Sequence, residues 1–197
     1  MATFMLVHGA CTGGWCWEKV APLLEANGHR VCAPDLPGLG KDHTPPANVT
    51  LADNVEKLSR LLDKMEEPVV LVGHSLGGIT ISQLAEARRR KIKALVYLCA
   101  LLPTSGKCGK DMTSLEPDTM FRLSRQVSPD GLTYTFARDK LPALFYADVS
   151  PEDRYRAMER LRPQPISIST TPVKVTAAVL SDRPQRNSCS RTKAVLA

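Results

Sequence analysis

Short apolar runs alternate with amphipathic segments over the first hundred residues of the chain. Two of the runs, 68–73 and 94–100, are apolar almost throughout, which is typical of strands buried on both faces of a sheet. Strands are predicted at 4–7, 29–35, 68–73 and 94–100, and helices at 18–27, from Thr50 onward and at 76–89. This alternation predicts an α/β fold, in which a mainly parallel sheet has helices on both faces.

The pattern changes after Pro103. Residues 104–170 show few strand signals and predict short helices at 119–126, 141–146 and 151–161, which favours a helical lid inserted over one edge of the sheet. Residues 171–197 form a divergent tail that becomes rich in Arg and Ser and loses its hydrophobic period. With 197 residues in all, we expect a single domain made of an N-terminal core (1–103), the lid (104–170) and the tail (171–197).

The composition is that of an ordinary globular protein, with 43% hydrophobic and 23% charged residues. No apolar run approaches the roughly 18 residues of a membrane span, and the start lacks the basic and apolar regions of a secretory signal. We therefore expect a cytoplasmic protein whose six cysteines are free thiols, with no metal-binding spacing and no cofactor. The net charge of +6, concentrated after residue 150, is interpreted as a solvated surface, without a nucleic acid or a membrane as partner.

The stretch 73–78 has the pattern G-x-S-x-G and lies between a predicted buried strand and a predicted helix. A sharp turn at this place strains the backbone of Ser75 and projects its hydroxyl above the sheet edge, so we predict that Ser75 is a nucleophile. Gly73 and Gly77 are expected because side chains there would collide across the turn, and Gly78 because the helix start packs closely. His74 is expected to point away from Ser75 and to pack beneath the turn.

A second glycine-containing turn follows the first strand. It begins at His8 and Gly9, and its glycines would allow the backbone to approach a substrate carbonyl closely. We predict that the backbone N–H groups of Ala10 and Leu76 form an oxyanion hole, assisted by the positive end of the helix that follows Ser75. His8 is expected to make a structural hydrogen bond beneath this loop.

Several stretches together carry a resemblance to a known family: 4–10, 13–17, 28–31, 35–40, 70–78 and 98–103. Over about residues 1–175 the chain resembles the α/β-hydrolase superfamily, and within it the group that contains plant methyl esterases, hydroxynitrile lyases and similar bacterial carboxylesterases. His74 and Leu76 beside the serine resemble the esterase branch. The resemblance implies hydrolysis of a small apolar or aryl ester through an acyl intermediate on Ser75.

The rest of a catalytic triad is not visible in the sequence. In this superfamily the acid and the histidine follow the serine, whereas the four histidines here, His8, His29, His43 and His74, all precede it. His43 is the only plausible surrogate base, and Asp182 is not assigned as the acid because no apolar strand precedes it. The triad acid and base therefore stay unknown, and we expect weak or absent turnover in a chain that looks truncated or altered at its C-terminus.

Two consequences and several alternatives follow from this pattern. Without the last strands of the fold, the strand at 94–100 or its neighbour is expected to expose an apolar edge, which invites a homo-oligomer through that edge. Residues 193–197 are a candidate replacement strand. A non-catalytic ligand-binding or interaction protein on the same scaffold, and an acyltransferase or a lyase, remain open as alternative functions.

Overall fold

The computed structural model describes residues 1–114, 119–176 and 185–188. Within these ranges eight strands form two sheets. The strands are β1 (Thr3–Val7), β2 (Arg30–Cys32), β3 (Val69–His74), β4 (Ile92–Leu98), β5 (Arg125–Val127), β6 (Thr133–Phe136), β7 (Gln164–Pro165) and β8 (Gln185–Ser188). The larger sheet has the order β2-β1-β3-β4-β8, and each neighbouring pair is parallel. The predicted α/β fold is confirmed.

Helices of the core cover both faces of this sheet, as predicted. The helices are α1 (Ala21–Ala26), α2 (Leu51–Asp63), α3 (Gly77–Ala87), α4 (Gly109–Thr113), α5 (Thr119–Ser124), α6 (Leu141–Phe145), α7 (Pro151–Glu159) and α8 (Ile166–Thr170). Short 3-10 helices occur at Gly14–Trp17, Pro46–Asn48 and Arg89–Lys91. None of the helices in the described part of the chain has the length and hydropathy needed to cross a membrane.

Successive side chains of each strand point to opposite faces of the sheet, and this divides the core into two layers. Met5 and Leu71 pack with residues of α2 and α3 on one face. Their chain neighbours Leu6 and Val72 pack on the opposite face with Trp17 and with residues around α1. Successive side chains of a strand point to opposite faces, so apolar residues are needed at both sets of positions. This double burial is why β3 and β4 are nearly continuous apolar runs.

The start of α2 shows how local sequence fixes an element. The Thr50 hydroxyl accepts a hydrogen bond from the Asp53 backbone N–H at 3.3 Å, and the Asp53 carboxylate accepts one from the Thr50 N–H at 2.8 Å. This reciprocal capping box satisfies two backbone donors that the helix itself leaves free. The helix predicted from Thr50 onward is confirmed by this cap and by burial of Leu58 and Leu62 in the core.

The lid has helices at all three predicted places, Thr119–Ser124, Leu141–Phe145 and Pro151–Glu159, but it also has a small sheet that was not predicted. It contains the antiparallel sheet β5-β6-β7, and the helix predicted at 119–126 ends at Ser124 because the next residues form β5. Tyr134 and Phe136 are buried while Thr135 between them is exposed. Aromatic and β-branched residues with this alternation favour a strand with one buried face. That signal is present in the sequence, and the prediction of few strands in the lid overlooked it.

The expectation that β4 exposes an apolar edge is wrong, because another strand pairs with it. Residues of β8 pair with β4 in parallel, from Leu95 opposite Gln185 to Leu98 opposite Ser188. Backbone hydrogen bonds alone can recruit a polar segment at a sheet edge, which a search for apolar strands does not detect. The candidate replacement strand at 193–197 lies outside the described residues.

Candidate active site

The sheet has a topological switch at which a binding site is expected. The chain passes from β1 outward to β2 and then returns to β3 on the other side of β1. Ligands of open α/β sheets bind at the carboxyl ends of the strands beside such a switch. His8 directly follows β1, and Ser75 directly follows β3. The two turns selected in the sequence therefore meet at this point.

Ser75 occupies a strained turn between β3 and α3. Its φ angle is +51°, in the left-handed region that an L residue enters at a cost of about 1–2 kcal/mol. Two backbone hydrogen bonds hold this conformation: the Ser75 N–H donates to the Leu98 carbonyl at 3.3 Å, and the Ser75 carbonyl accepts from the Leu101 N–H at 3.0 Å. Neighbouring strand β4 and the loop after it thus fix the position of the serine.

The glycines around Ser75 are required by space. A Cβ atom on Gly73 would lie 3.0 Å from the Gly77 carbonyl oxygen, across the turn. On Gly77 it would lie 2.7 Å from the His8 carbonyl oxygen, and on Gly78 only 2.1 Å from the Leu101 carbonyl oxygen. These contacts are with backbone atoms, which cannot rotate away as a side chain can. The glycines therefore allow α3 to begin directly against the ends of β1 and β4.

The loop after β1 lies against the same turn. A Cβ atom on Gly9 would be 3.0 Å from Cβ of Ser75. Ala10 and Leu76 line the same cavity as Ser75. Among the residues that the structure describes, neither the Ala10 nor the Leu76 backbone N–H donates a hydrogen bond. The structure thus brings together the three residues predicted from the two motifs, with two amide donors free.

His8 connects this loop to the loop after β2. Its side chain is 1% exposed, its Nε2 accepts a hydrogen bond from the Leu36 N–H at 3.0 Å, and its Nδ1 lies 2.9 Å from the Gly9 carbonyl oxygen. Burial lowers the pKa of His8 to about 4, so the ring is neutral near pH 7. With Nε2 as acceptor, the proton lies on Nδ1 and is directed to Gly9.

His74 lies beside the nucleophile position without bonding to it. Its ring is edge-on to Trp17 at 6.4 Å between centroids, and its Nδ1 would be 2.9 Å from a Cβ atom on Gly9. Burial lowers the pKa of His74 to about 4, with His8 as a secondary cause. Within the described ranges, no side chain forms a hydrogen bond with the Ser75 hydroxyl.

The remaining triad candidates are not brought to the site. His43 is exposed and His29 packs against Phe4, and neither lines the cavity that contains Ser75. The surrogate role considered for His43 is therefore not supported by its position. Asp182 lies outside the described residues. No group of three His, Cys, Asp or Glu side chains suited to a metal ion occurs in the described part of the chain.

A cavity of about 560 Å³ extends from Ser75 into the lid. This volume is in the range of small-molecule binding sites. Its lid wall is largely apolar and aromatic, with contributions from Phe121, Tyr134, Phe136, Leu144, Phe145, Tyr146, Val149 and Leu161. Sequence reasoning predicted a lid and an apolar or aryl ester but identified none of these residues, because their contacts are long-range.

Hydrogen bonds from the lid fix the loop that carries Ala10. The Cys11 N–H donates to Oε1 of Gln164 at 3.0 Å, and the Cys11 carbonyl accepts from the Arg162 N–H at 2.8 Å. Gln164 is only 2% exposed. Cys11 has a φ angle of +62°, so these bonds hold a strained residue next to Ala10. No sequence motif points to Gln164, because it lies more than 150 residues from its partner.

Comparison with known proteins shows to which family this chain belongs. A model of the alpha/beta hydrolase family matches residues 4–186. Salicylic acid-binding protein 2 from Nicotiana tabacum is 47% identical over 105 residues, which cover 52% of this chain and 40% of that protein. Methylesterase 3 from Arabidopsis thaliana is 32% identical over 193 residues, which cover 94% of this chain and 71% of that protein.

Solved structures agree with the sequence relatives. Polyneuridine aldehyde esterase has a TM-score of 0.84 and 27% identity, covering 95% of this chain and 79% of that chain. A pyrethroid hydrolase from Sphingobium faniae JZ-2 has a TM-score of 0.83 and 28% identity, covering 94% and 76%. The match spans only 40% of the length of the tobacco protein and of Methylesterase 1 from Arabidopsis thaliana. This chain belongs to the alpha/beta hydrolase family, and methylesterases are among its relatives.

Proposed function

We propose that this chain carries the nucleophile and oxyanion hole of a serine carboxylic-ester hydrolase of the methylesterase-like group. The observation that carries the proposal is the strained Ser75, which shares a cavity with the two unbonded amides of Ala10 and Leu76. A strained nucleophile at a strand-to-helix turn beside two backbone donors is the arrangement that acyl transfer requires. The esterases among the relatives support the same reaction class.

The reaction would proceed in two balanced steps. The Ser75 oxygen attacks the ester carbonyl carbon, and the developing oxyanion accepts hydrogen bonds from the Ala10 and Leu76 N–H groups. Collapse breaks the bond to the alcohol, which leaves with the proton that the serine gave up, and an acyl-serine remains. Water then attacks the acyl carbon, releases the carboxylic acid and returns a hydrogen to Ser75.

Proton transfer sets the expected rate. Nε2 of His8 already accepts the Leu36 N–H, and the depressed pKa values of His8 and His74 make both rings weak bases. Loss of the triad base lowers turnover by up to ~10⁶, while an oxyanion hole and binding alone retain ~10³–10⁴ over water. We therefore expect this chain by itself to have weak turnover.

A small apolar or aryl ester is the substrate class that suits the aromatic lid wall. The name of the tobacco relative, salicylic acid-binding protein 2, supports an aromatic acid or its ester as the ligand. The cytoplasmic location, the homo-oligomer and the exclusion of nucleic-acid and membrane partners stay predictions.

A fluorophosphonate probe with intact-protein mass spectrometry tests the proposal. We expect one slowly formed phosphonyl adduct on the wild type, none on Ser75→Ala, and an adduct formed at an unchanged rate on Ser169→Ala. Ser169 is a matched control because it lines the same cavity but donates its hydroxyl to the Ile166 carbonyl. Added imidazole, which fits a cavity of this size, should accelerate hydrolysis of an activated aryl ester by the wild type and not by Ser75→Ala. Equal labelling of Ser75→Ala and the wild type would contradict the proposal.

A non-catalytic ligand-binding protein is the second candidate. It is favoured by a well-formed cavity in which no described side chain bonds to the Ser75 hydroxyl. Saturable binding of an aromatic acid without probe labelling or imidazole-dependent hydrolysis would select this function over the first.

A further inference from the structure

Arg125 brings a positive charge into the wall of the otherwise apolar cavity. It is the first residue of β5, where it lies opposite Phe136 of β6, and it lines the cavity together with Ser75. Its guanidinium carbon lies 3.8 Å from the centroid of the Tyr134 ring. Tyr134 is itself only 4% exposed, so the stacked pair is a fixed part of the wall. Stacking of this kind restricts the orientation of the guanidinium plane.

The guanidinium of Arg125 has unused hydrogen-bonding capacity. Its Nε is buried and has no hydrogen-bond partner. Among the described residues no carboxylate forms an ion pair with it, whereas Arg138, Arg156 and Arg160 are paired with Glu159, Glu152 and Glu18. A buried donor without a partner is costly. A ligand that accepts hydrogen bonds at this point would remove that cost.

The charges around Arg125 favour an anion as that ligand. Lys110 and Arg122 also line the cavity, and Asp148 is the acidic residue on the part of its wall that the structure describes. A carboxylate matches the fork of guanidinium donors better than a neutral carbonyl does, because charge-assisted hydrogen bonds are stronger. The cavity therefore combines an aromatic wall with a specific position for one negative charge.

We propose that Arg125 binds a free carboxylate of the ligand, so that the preferred substrates are aromatic half-esters in which a second carboxyl group is ionised. This inference rests on the proposed ester hydrolase, whose substrate class it defines. The ester carbonyl would lie at Ser75 and the second carboxylate at Arg125, with the aromatic ring between them along the lid wall. Arg125 would thus determine specificity, without a part in the chemical step.

Binding of matched ligands tests this assignment. Monomethyl terephthalate carries the anion across the ring from its ester, and methyl 4-carbamoylbenzoate replaces its carboxylate by a neutral amide of similar size. Dissociation constants are measured by calorimetry and by fluorescence of Trp15, which lines the cavity. We expect the wild type to bind the anion about tenfold or more tightly than the amide. Equal affinities for the two ligands would overturn the proposal.

Variants separate a specific contact from a general positive field. In Arg125→Gln the two dissociation constants should become about equal, so that the preference for the anion is lost. The affinity for the neutral amide should stay within about twofold of the wild type, which also shows that the variant is folded. Arg125→Lys should keep only part of the preference, since it retains the charge and loses the fork. Arg122→Gln is the matched control, because Arg122 also lines the cavity but is exposed, and it should retain the preference.

Two results of the variant experiment would overturn the assignment: a preference that survives in Arg125→Gln, or one that is lost equally in Arg122→Gln. Failure of the proposed function gives a different result. If the anion preference depends on Arg125 but the probe never labels Ser75, the hydrolase proposal fails and the carboxylate site stands.

Discussion

Replacement of Gly78 by alanine tests whether close backbone packing holds the serine in place. An added Cβ atom would lie 2.1 Å from the Leu101 carbonyl oxygen, whereas ordinary contacts begin at 3.4 Å. The Leu101 backbone must therefore move by roughly 1 Å, because the contacted atom belongs to the main chain. Leu101 also donates its N–H to the Ser75 carbonyl, so the same movement loosens the strained turn.

The expected cost can be worked from three opposing contributions. Alanine in place of glycine near a helix start gains up to about 1 kcal/mol of helix propensity. Overpacking against a fixed neighbour costs about 1–3 kcal/mol, and weakening of one buried backbone hydrogen bond adds about 1 kcal/mol. We therefore expect Gly78→Ala to lower the free energy of unfolding by about 2 kcal/mol and to slow labelling of Ser75 by the fluorophosphonate probe.

Urea denaturation followed by circular dichroism measures the stability change, and Gly109→Ala is the matched control. Gly109 is the first residue of α4, and an added Cβ atom there would meet the flexible end of the Leu101 side chain at 3.3 Å. That variant should be within about 0.5 kcal/mol of the wild type. If Gly78→Ala is as stable as the wild type, or if both variants lose the same stability, the packing argument is wrong.

The remaining predictions concern pH and the helix cap. The pKa values of His8 and His74 fall from 6.5 to about 4 on folding because burial disfavours their charged forms, so the unfolded chain binds more protons between these pH values. The free energy of unfolding should therefore decrease as the pH falls from 6.5 to 4, by roughly 3 kcal/mol per histidine, and a flat profile in urea titrations would contradict this. Thr50→Ala removes the acceptor for the Asp53 N–H and should cost about 1 kcal/mol of stability by the same assay; an unchanged midpoint would mean that the capping box does not stabilise α2.

The parts of the molecule that could be predicted from sequence are those encoded locally. The spacing of Gly73, Ser75 and Gly77 identifies the turn because each residue acts on atoms within a few positions or at the adjacent strand end. Thr50 and Asp53 identify a helix start for the same reason. The strong apolar runs of β3 and β4 fix the buried sheet, since few other structures can bury both faces of a strand.

The parts that could not be predicted depend on contacts between distant segments. Arg125 and Tyr134 form one wall of the cavity only because β5 and β6 pair and the lid closes over the sheet. Gln164 supports Cys11 across more than 150 residues. The edge strand Gln185–Ser188 is polar, so its pairing depends on the free edge of β4 and leaves no hydrophobic signal in the sequence.

The pairing of β1 with β3 has a consequence for how this scaffold tolerates change. Val7 lies opposite Gly73 in the parallel ladder, so main-chain hydrogen bonds align the two segments that supply the free amides. The choice of ligand, in contrast, depends on lid side chains that line the cavity and can be replaced without changing this ladder. Substitution of the lid residues that line the cavity could therefore change which ligands bind, while the turns that carry Ser75, Ala10 and Leu76 keep their shape.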